Sequence, residues 1–119
     1  MNQDPNCIFC KIINKEIPAD IIFEDSDVLA FKDIHPIAPV HILIIPKEHI
    51  PTIDDLAETE RDLVGKMILT AQKLARKLKT SEGGYKLLFR VKGWGGQEVD
   101  HIHLHLIGGA KLSENIHPE

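Results

Sequence analysis

Apolar residues recur along this chain with two periods, and each change of period marks a new element. Ile8 and Ile12 lie four apart, as do Phe9 and Ile13. Residues 7–13 therefore predict a short helix with more than one apolar face, capped by Asn6. Pro18 ends that region. Residues 21–24 and 28–33 predict two strands around a turn at Asp25, Ser26 and Asp27. Pro36 and Pro39 mark a loop. Residues 40–45 are nearly all apolar and stop at Pro46, which predicts a buried central strand. A long helix is expected to begin between Asp55 and Thr59. Its stripe is Leu63, Val64, Met67, Ile68, Ala71, Leu74, Ala75 and Leu78. Acidic Asp54, Asp55, Glu58 and Glu60 crowd its start, and basic Lys73, Arg76, Lys77 and Lys79 its end, which complements the helix dipole. After Gly83 and Gly84, residues 85–91 predict a strand. A loop holding Gly93, Gly95 and Gly96 then leads to residues 101–107, where histidine and aliphatic residues alternate strictly. A period of two puts His101, His103 and His105 on one face and Ile102, Leu104 and Leu106 on the other. The order α-β-β-β-α-β-β predicts an α+β fold on a mostly antiparallel sheet.

Composition narrows the class. The 119 residues suit a single domain over 1–119, with tails at 1–5 and 112–119, and contain no repeat or linker. A net charge of −4 argues against a nucleic-acid partner, while a small anion held by local donors stays possible. No apolar run approaches the ~20 residues of a membrane helix. The polar start, Met1 to Pro5, lacks the basic and apolar regions of a signal peptide, so a cytoplasmic location is expected. In that reducing setting Cys7 and Cys10 read as a metal half-site or redox pair rather than a structural disulfide.

The histidine row defines the candidate chemistry. On a regular strand its members are ~6.6 Å apart, and His101 to His105 ~13 Å. Zinc holds imidazole nitrogens at about 2.0–2.1 Å, so three such residues do not easily share one ion. Cys7 and Cys10 offer half of a Cys2His2 zinc site instead, and His49 and His101 are the best candidates for the other half. The competing reading makes both cysteines small buried hydrophobes. His103 and His105 then remain for catalysis. Neutral imidazole is a good nucleophile near pH 7, and phosphorus is a natural electrophile for it. A neighbouring ring could protonate a leaving group or neutralise phosphate oxygens. Backbone N–H groups of the glycine loop could face the same phosphate.

Residues 101–107 match the His-φ-His-φ-His-φ-φ signature of the histidine triad superfamily, φ being hydrophobic. The segments 8–13, 16–18, 30–34, 36–46 and 95–97 resemble its Hint branch, the histidine triad nucleotide-binding proteins. The resemblance implies a five-stranded antiparallel sheet with one long and one short helix, and a homodimer whose sheets join into one of ten strands. It implies hydrolysis of purine nucleoside phosphoramidates and acyl-adenylates, with a purine nucleotide of the AMP or GMP type as ligand and no organic cofactor. His103 is the implied nucleophile, His105 the group that binds phosphate oxygens and assists the leaving group, and His41 the residue that orients them. Asp33 is implied to hold the ribose hydroxyls. Phe9, Ile12, Phe31 and Ile34, with the stem of Lys32, are implied to form the base pocket. Gln97, Glu98 and Val99 fall where the family's loop meets the phosphate. Some bacterial members with Cys-x-x-Cys bind structural zinc, which implies Cys7, Cys10, His49 and His101 as its ligands here.

The chain departs from the family pattern at several positions. Arg90 stands eleven residues before His101, where the family usually has an Asn whose amide helps hold the phosphate. An arginine there is a stronger anion clamp, or it crowds the pocket or points away, and in each case it cannot accept a hydrogen bond. Asp100 replaces a frequent Tyr, His35 a usual Ser, and Trp94 sits in a loop that is usually polar. The C-terminal Trp of animal members is missing. Two other readings follow: a nucleotide-binding regulatory dimer with weak or no catalysis, and a zinc-dependent hydrolase using the triad as ligands.

Overall fold

The computed structural model describes residues 2–119. Helix α1 spans Ile8–Ile13, and strands β1, β2 and β3 span Ile21–Glu24, Val28–Lys32 and Val40–Pro46. Two short 3-10 turns lead into helix α2, Arg61–Lys77. Strands β4, Tyr85–Leu88, and β5, Leu104–Gly108, follow. The strands form one antiparallel sheet in the order β1-β2-β3-β5-β4, so the expected α+β architecture holds. Among the described residues, no helix is long and apolar enough to cross a membrane.

Strand alternation divides the apolar residues between two faces. Val28, Ala30, Ile42, Ile44, Ile102, Leu104 and Leu106 pack with Met67, Ala71, Leu74 and Ala75 of α2. Leu29, Phe31, Leu43 and Ile45 point the other way and pack with Cys7, Phe9, Cys10, Ile12 and Ile13 around α1. Leu43 is the register partner of His105, so His105 shares the α1 face. His41, two residues before Leu43, shares it too. The histidines thus lie beneath α1, on the face turned away from α2.

Several boundaries differ from expectation for identifiable reasons. Regular pairing in β5 begins only at Leu104. His101, Ile102 and His103 come before it, where the Ile102 N–H donates to the Ile50 carbonyl at 2.8 Å. The histidine row therefore has two local geometries. Helix α1 is capped by Cys7, whose sulfur accepts the Cys10 N–H at 3.4 Å, and not by Asn6. Strand β4 stops at Leu88 rather than 91. Helix α2 starts at Arg61, because the acidic residues before it close 3-10 turns. The Asp55 carboxylate accepts the Thr52 N–H, and the Glu60 carboxylate accepts the Ala57 N–H.

Helix α2 ends before the glycine pair. The N–H of Thr80 donates to the Ala75 carbonyl and that of Lys79 to the Arg76 carbonyl, which places Lys79 in the left-handed region with φ 59°. An L side chain costs roughly 1–2 kcal/mol there, and glycine removes most of that cost. Lys79→Gly is therefore expected to stabilise the fold by about 1 kcal/mol, read as a higher urea midpoint. An unchanged or lower midpoint contradicts this assignment of strain.

Candidate active site

A cavity of about 860 Å³ opens between α1, the β2–β3 side of the sheet and the loop that precedes β5. Ile8, Phe9, Ile12, Ile17, Pro18, Ala19, Phe31, Ile34, Ile37, Leu43 and Val99 give it an apolar wall. Asp33, His35, His41, Arg90, Glu98, His103 and His105 supply the polar groups. Most of the residues expected at a nucleotide site therefore meet in one place. Lys32 and Gln97 are absent from the lining. The Lys32 ammonium is 3.5 Å from Asp20. The Gln97 amide donates to the carbonyls of Pro51 and Val99 and accepts the Lys92 N–H, so it holds the loop in shape. Of the glycine loop, Gly96 reaches the lining while Gly93 and Gly95 do not, and the Gly96 N–H is already engaged with the Gly93 carbonyl at 3.0 Å. Gly95 serves packing, because a Cβ there would lie 2.3 Å from the Val91 carbonyl oxygen. Ile8, Ile17, Pro18, Ala19, Ile37 and Leu43 were not anticipated. The second apolar face of α1 was the available signal for Ile8.

Hydrogen bonds fix the tautomers of the catalytic-type histidines. His103 Nδ1 lies 2.8 Å from the His101 carbonyl oxygen. A carbonyl only accepts, so Nδ1 carries the proton and the neutral ring keeps its lone pair on Nε2. His41 Nδ1 accepts the Ile37 N–H at 3.2 Å, so His41 Nε2 is the donor. It donates to His105 Nδ1 at 3.0 Å, with the Asp33 carboxylate 3.4 Å away. His105 therefore carries its proton on Nε2, a buried atom with no hydrogen-bond partner among the described residues. The His103 and His105 rings stand 5.0 Å apart, centroid to centroid. One free lone pair and one free N–H thus belong to adjacent rings of the same cavity.

Burial keeps these rings neutral. It lowers the pKa of His41, His103 and His105, the last to about 4, and Arg90 pushes each in the same direction. The Asp33 carboxylate opposes the shift in all three.

A second cluster lies at the base of α1. Cys7, Cys10, His49 and His101 bring one ligand atom each within 4.8 Å of one another. His101 Nδ1 is 3.4 Å from Cys7 Sγ, 3.6 Å from Cys10 Sγ and 3.2 Å from His49 Nδ1, and the last is 3.4 Å from Cys10 Sγ. Ligands at zinc distances, tetrahedrally placed, are about 3.3–3.8 Å from one another. Four of the six donor–donor separations, at 3.2–3.6 Å, therefore lie close to the edges of such a tetrahedron. The Pro46 carbonyl accepts from His101 Nε2 at 2.8 Å, which leaves the lone pair of Nδ1 facing the sulfurs. Burial pushes the Cys10 thiol up to about 11, so metal binding must displace its proton. Four donors converge, more than two buried hydrophobes require. His103 and His105 lie outside this cluster, so the histidine row does divide. Asp33, His41 and His105 also come within 4.8 Å of one another, an approach their mutual hydrogen bond and ion pair already explain.

The family model described as the HIT domain matches residues 14–112. The chain belongs to the HIT family. The chain is 50% identical over 105 residues to the purine nucleoside phosphoramidase of Escherichia coli strain K12, covering 88% of each protein. A HIT family hydrolase from Legionella pneumophila Philadelphia 1 superposes with a TM-score of 0.91 at 52% identity, over 92% of this chain and 98% of that one. A histidine triad nucleotide-binding protein from Candida albicans gives 0.78 at 34% identity, over 96% and 86%. The HIT match begins after Cys7 and Cys10, so half of the metal-type cluster precedes the matched region.

The depressed histidines make stability depend on pH. An unfolded histidine takes its proton near pH 6.5, whereas His105 in the fold does so only at about 4. Between those values the unfolded chain binds more protons, so stability falls as pH drops through this window. Urea midpoints from pH 7 to pH 4 should decline less steeply for His105→Asn than for the wild type. Equal slopes contradict the assignment.

Proposed function

We propose that this chain hydrolyses purine nucleoside phosphoramidates through a nucleotidylated His103. One observation carries the reading: the His101 carbonyl holds the proton of His103 on Nδ1, leaving Nε2 as a lone pair beside the unpartnered N–H of His105. The purine packs among Phe9, Ile12, Phe31 and Ile34, and Asp33 accepts from the ribose hydroxyls. His105 Nε2–H donates to a phosphate oxygen, and His41 holds His105 in that tautomer. His103 Nε2 attacks phosphorus and the P–N bond of the substrate breaks. The leaving nitrogen takes a proton, relayed through His105 from water, and departs as an amine. The positive charge that develops on His103 strengthens its Nδ1–H bond to the carbonyl. Water then attacks phosphorus, the bond to Nε2 breaks, and AMP leaves as the proton passes to solvent. Neutral His103 is restored.

The same reading gives Cys7, Cys10, His49 and His101 a zinc ion. Its chemistry is structural, cross-linking α1 to the segment that carries His103. It extends to a homodimer, supported by the edge position of β4 and by exposed Leu87, Ile68 and Leu69. Free Cys7 and Cys10 fit the reducing cytoplasm.

Two measurements test this. In acid-quenched single turnovers of adenosine 5′-phosphoramidate, AMP should be bound covalently to wild-type protein and not to His103→Ala. The variant should lose at least about 10³-fold in kcat/KM while still binding AMP. AMP binding by the wild type without turnover would instead make the chain a nucleotide-binding dimer. Metal analysis should find one zinc per chain, lost in Cys7→Ser together with thermal stability. Metal-free wild-type protein of normal stability contradicts the zinc assignment.

A further inference from the structure

Arg90 is exposed and lines the cavity without an ion pair to any other described residue of the chain. It lies just beyond the end of β4, the edge strand. Leu88, the last paired residue of β4, is the register partner of His105, and Arg90, two residues further on, shares the cavity lining with His103 and His105. Its guanidinium lies over the loop, where a Cβ on Gly96 would be 3.5 Å from Nη1. Arg90 lines the cavity with His103 and His105, yet makes no ion pair or side-chain hydrogen bond among the described residues. Glu98, a carboxylate of the same wall, does not pair with it. A guanidinium offers five donors in a planar fork that suits a carboxylate or a phosphate.

Strand order assigns that fork a direction. Phe31 and Asp33 belong to the β2 side of the sheet, His41 to β3, and His103 and His105 to the β5 segment. Arg90 comes from the β4 side, beyond the histidines. With the nucleoside at Phe31 and Asp33 and phosphorus at His103, two non-bridging oxygens and the leaving nitrogen remain to be placed. The free N–H of His105 meets the oxygens, and Arg90, on the side away from the nucleoside, is left within reach of a substituent on the leaving nitrogen. We propose that Arg90 selects substrates whose leaving amine carries an anionic group close to the scissile bond, such as the carboxylate of an N-linked amino acid. The proposal rests on the phosphoramidase reading and adds a substrate class to it. In the reaction the P–N bond breaks as before, and the amino acid leaves with the added proton on nitrogen and its carboxylate still paired to Arg90.

The test compares AMP joined through nitrogen to alanine with AMP joined to alaninamide. The two substrates differ in leaving-group charge and hardly in shape. Removing Arg90 also relaxes the histidine pKa values, so the ratio of the two kcat/KM values at one pH is the readout. The wild type should favour alanine. Arg90→Gln should lose about tenfold to a hundredfold on alanine and at most about threefold on alaninamide, the range of a charge-assisted hydrogen bond. Arg90→Lys, which keeps the charge without the fork, should fall between them. Equal losses on both substrates overturn the proposal, because Arg90 then holds the oxygens of the reacting phosphate. No loss on either overturns it as well. If folded wild-type protein hydrolyses neither substrate, nor plain adenosine phosphoramidate, the underlying phosphoramidase reading fails and takes this proposal with it.

Discussion

His101 is held at every polar atom it can offer. Its Nε2–H donates to the Pro46 carbonyl, its Nδ1 faces two sulfurs and the His49 ring, and its backbone carbonyl accepts from His103 Nδ1. The residue is fully buried, so each contact is costly to lose. Through its ring it ties the chain before β5 to the end of β3 and to α1. Through its carbonyl it decides which nitrogen of His103 is basic. The Cys/His cluster and the Nε2 lone pair of His103 are thus coupled across one residue and one backbone bond.

The coupling also explains α1. A six-residue helix does not persist alone in water. Here Cys7 caps it, Cys10 turns its sulfur to the same cluster, and Phe9 packs edge-on against Phe31, His101 and His103 at 5.1–5.9 Å. The helix that roofs the cavity is therefore fastened to the residues beneath it. Electrostatics follow from the same packing. Burial holds the histidines neutral, and Arg90 in the wall reinforces that state while Asp33 opposes it.

Much of this was legible in the sequence. The alternation in 101–107 separates two faces, and Ile102, Leu104 and Leu106 do meet α2 while His105 turns to α1. The Cys-x-x-Cys spacing and the division of the histidine row pointed to the grouping of Cys7, Cys10, His49 and His101. What stayed hidden depends on backbone atoms that no residue type announces. The Ile50 carbonyl engages Ile102, so β5 starts late, and the Gly93 carbonyl engages the Gly96 N–H that seemed free for phosphate. Cys7, not Asn6, is the cap because the helix begins at Ile8, which leaves Cys7 at the N-cap with its sulfur 3.4 Å from the Cys10 N–H. Gln97 is drawn from the cavity by three loop partners that propensity and periodicity do not encode. Arg90 was visible only as an exception, and its place in the cavity wall just past β4 emerged from the structure.

The central claim concerns one proton, and it is open to direct observation. Long-range proton–nitrogen correlation spectra of ¹⁵N-histidine-labelled protein report the tautomer and charge of each ring. At pH 7 the account predicts a neutral His103, with its proton on Nδ1 and a non-protonated Nε2, identified by its loss in His103→Ala. A His103 that is protonated on Nε2, or on both nitrogens at that pH, has no lone pair to offer phosphorus and contradicts the account.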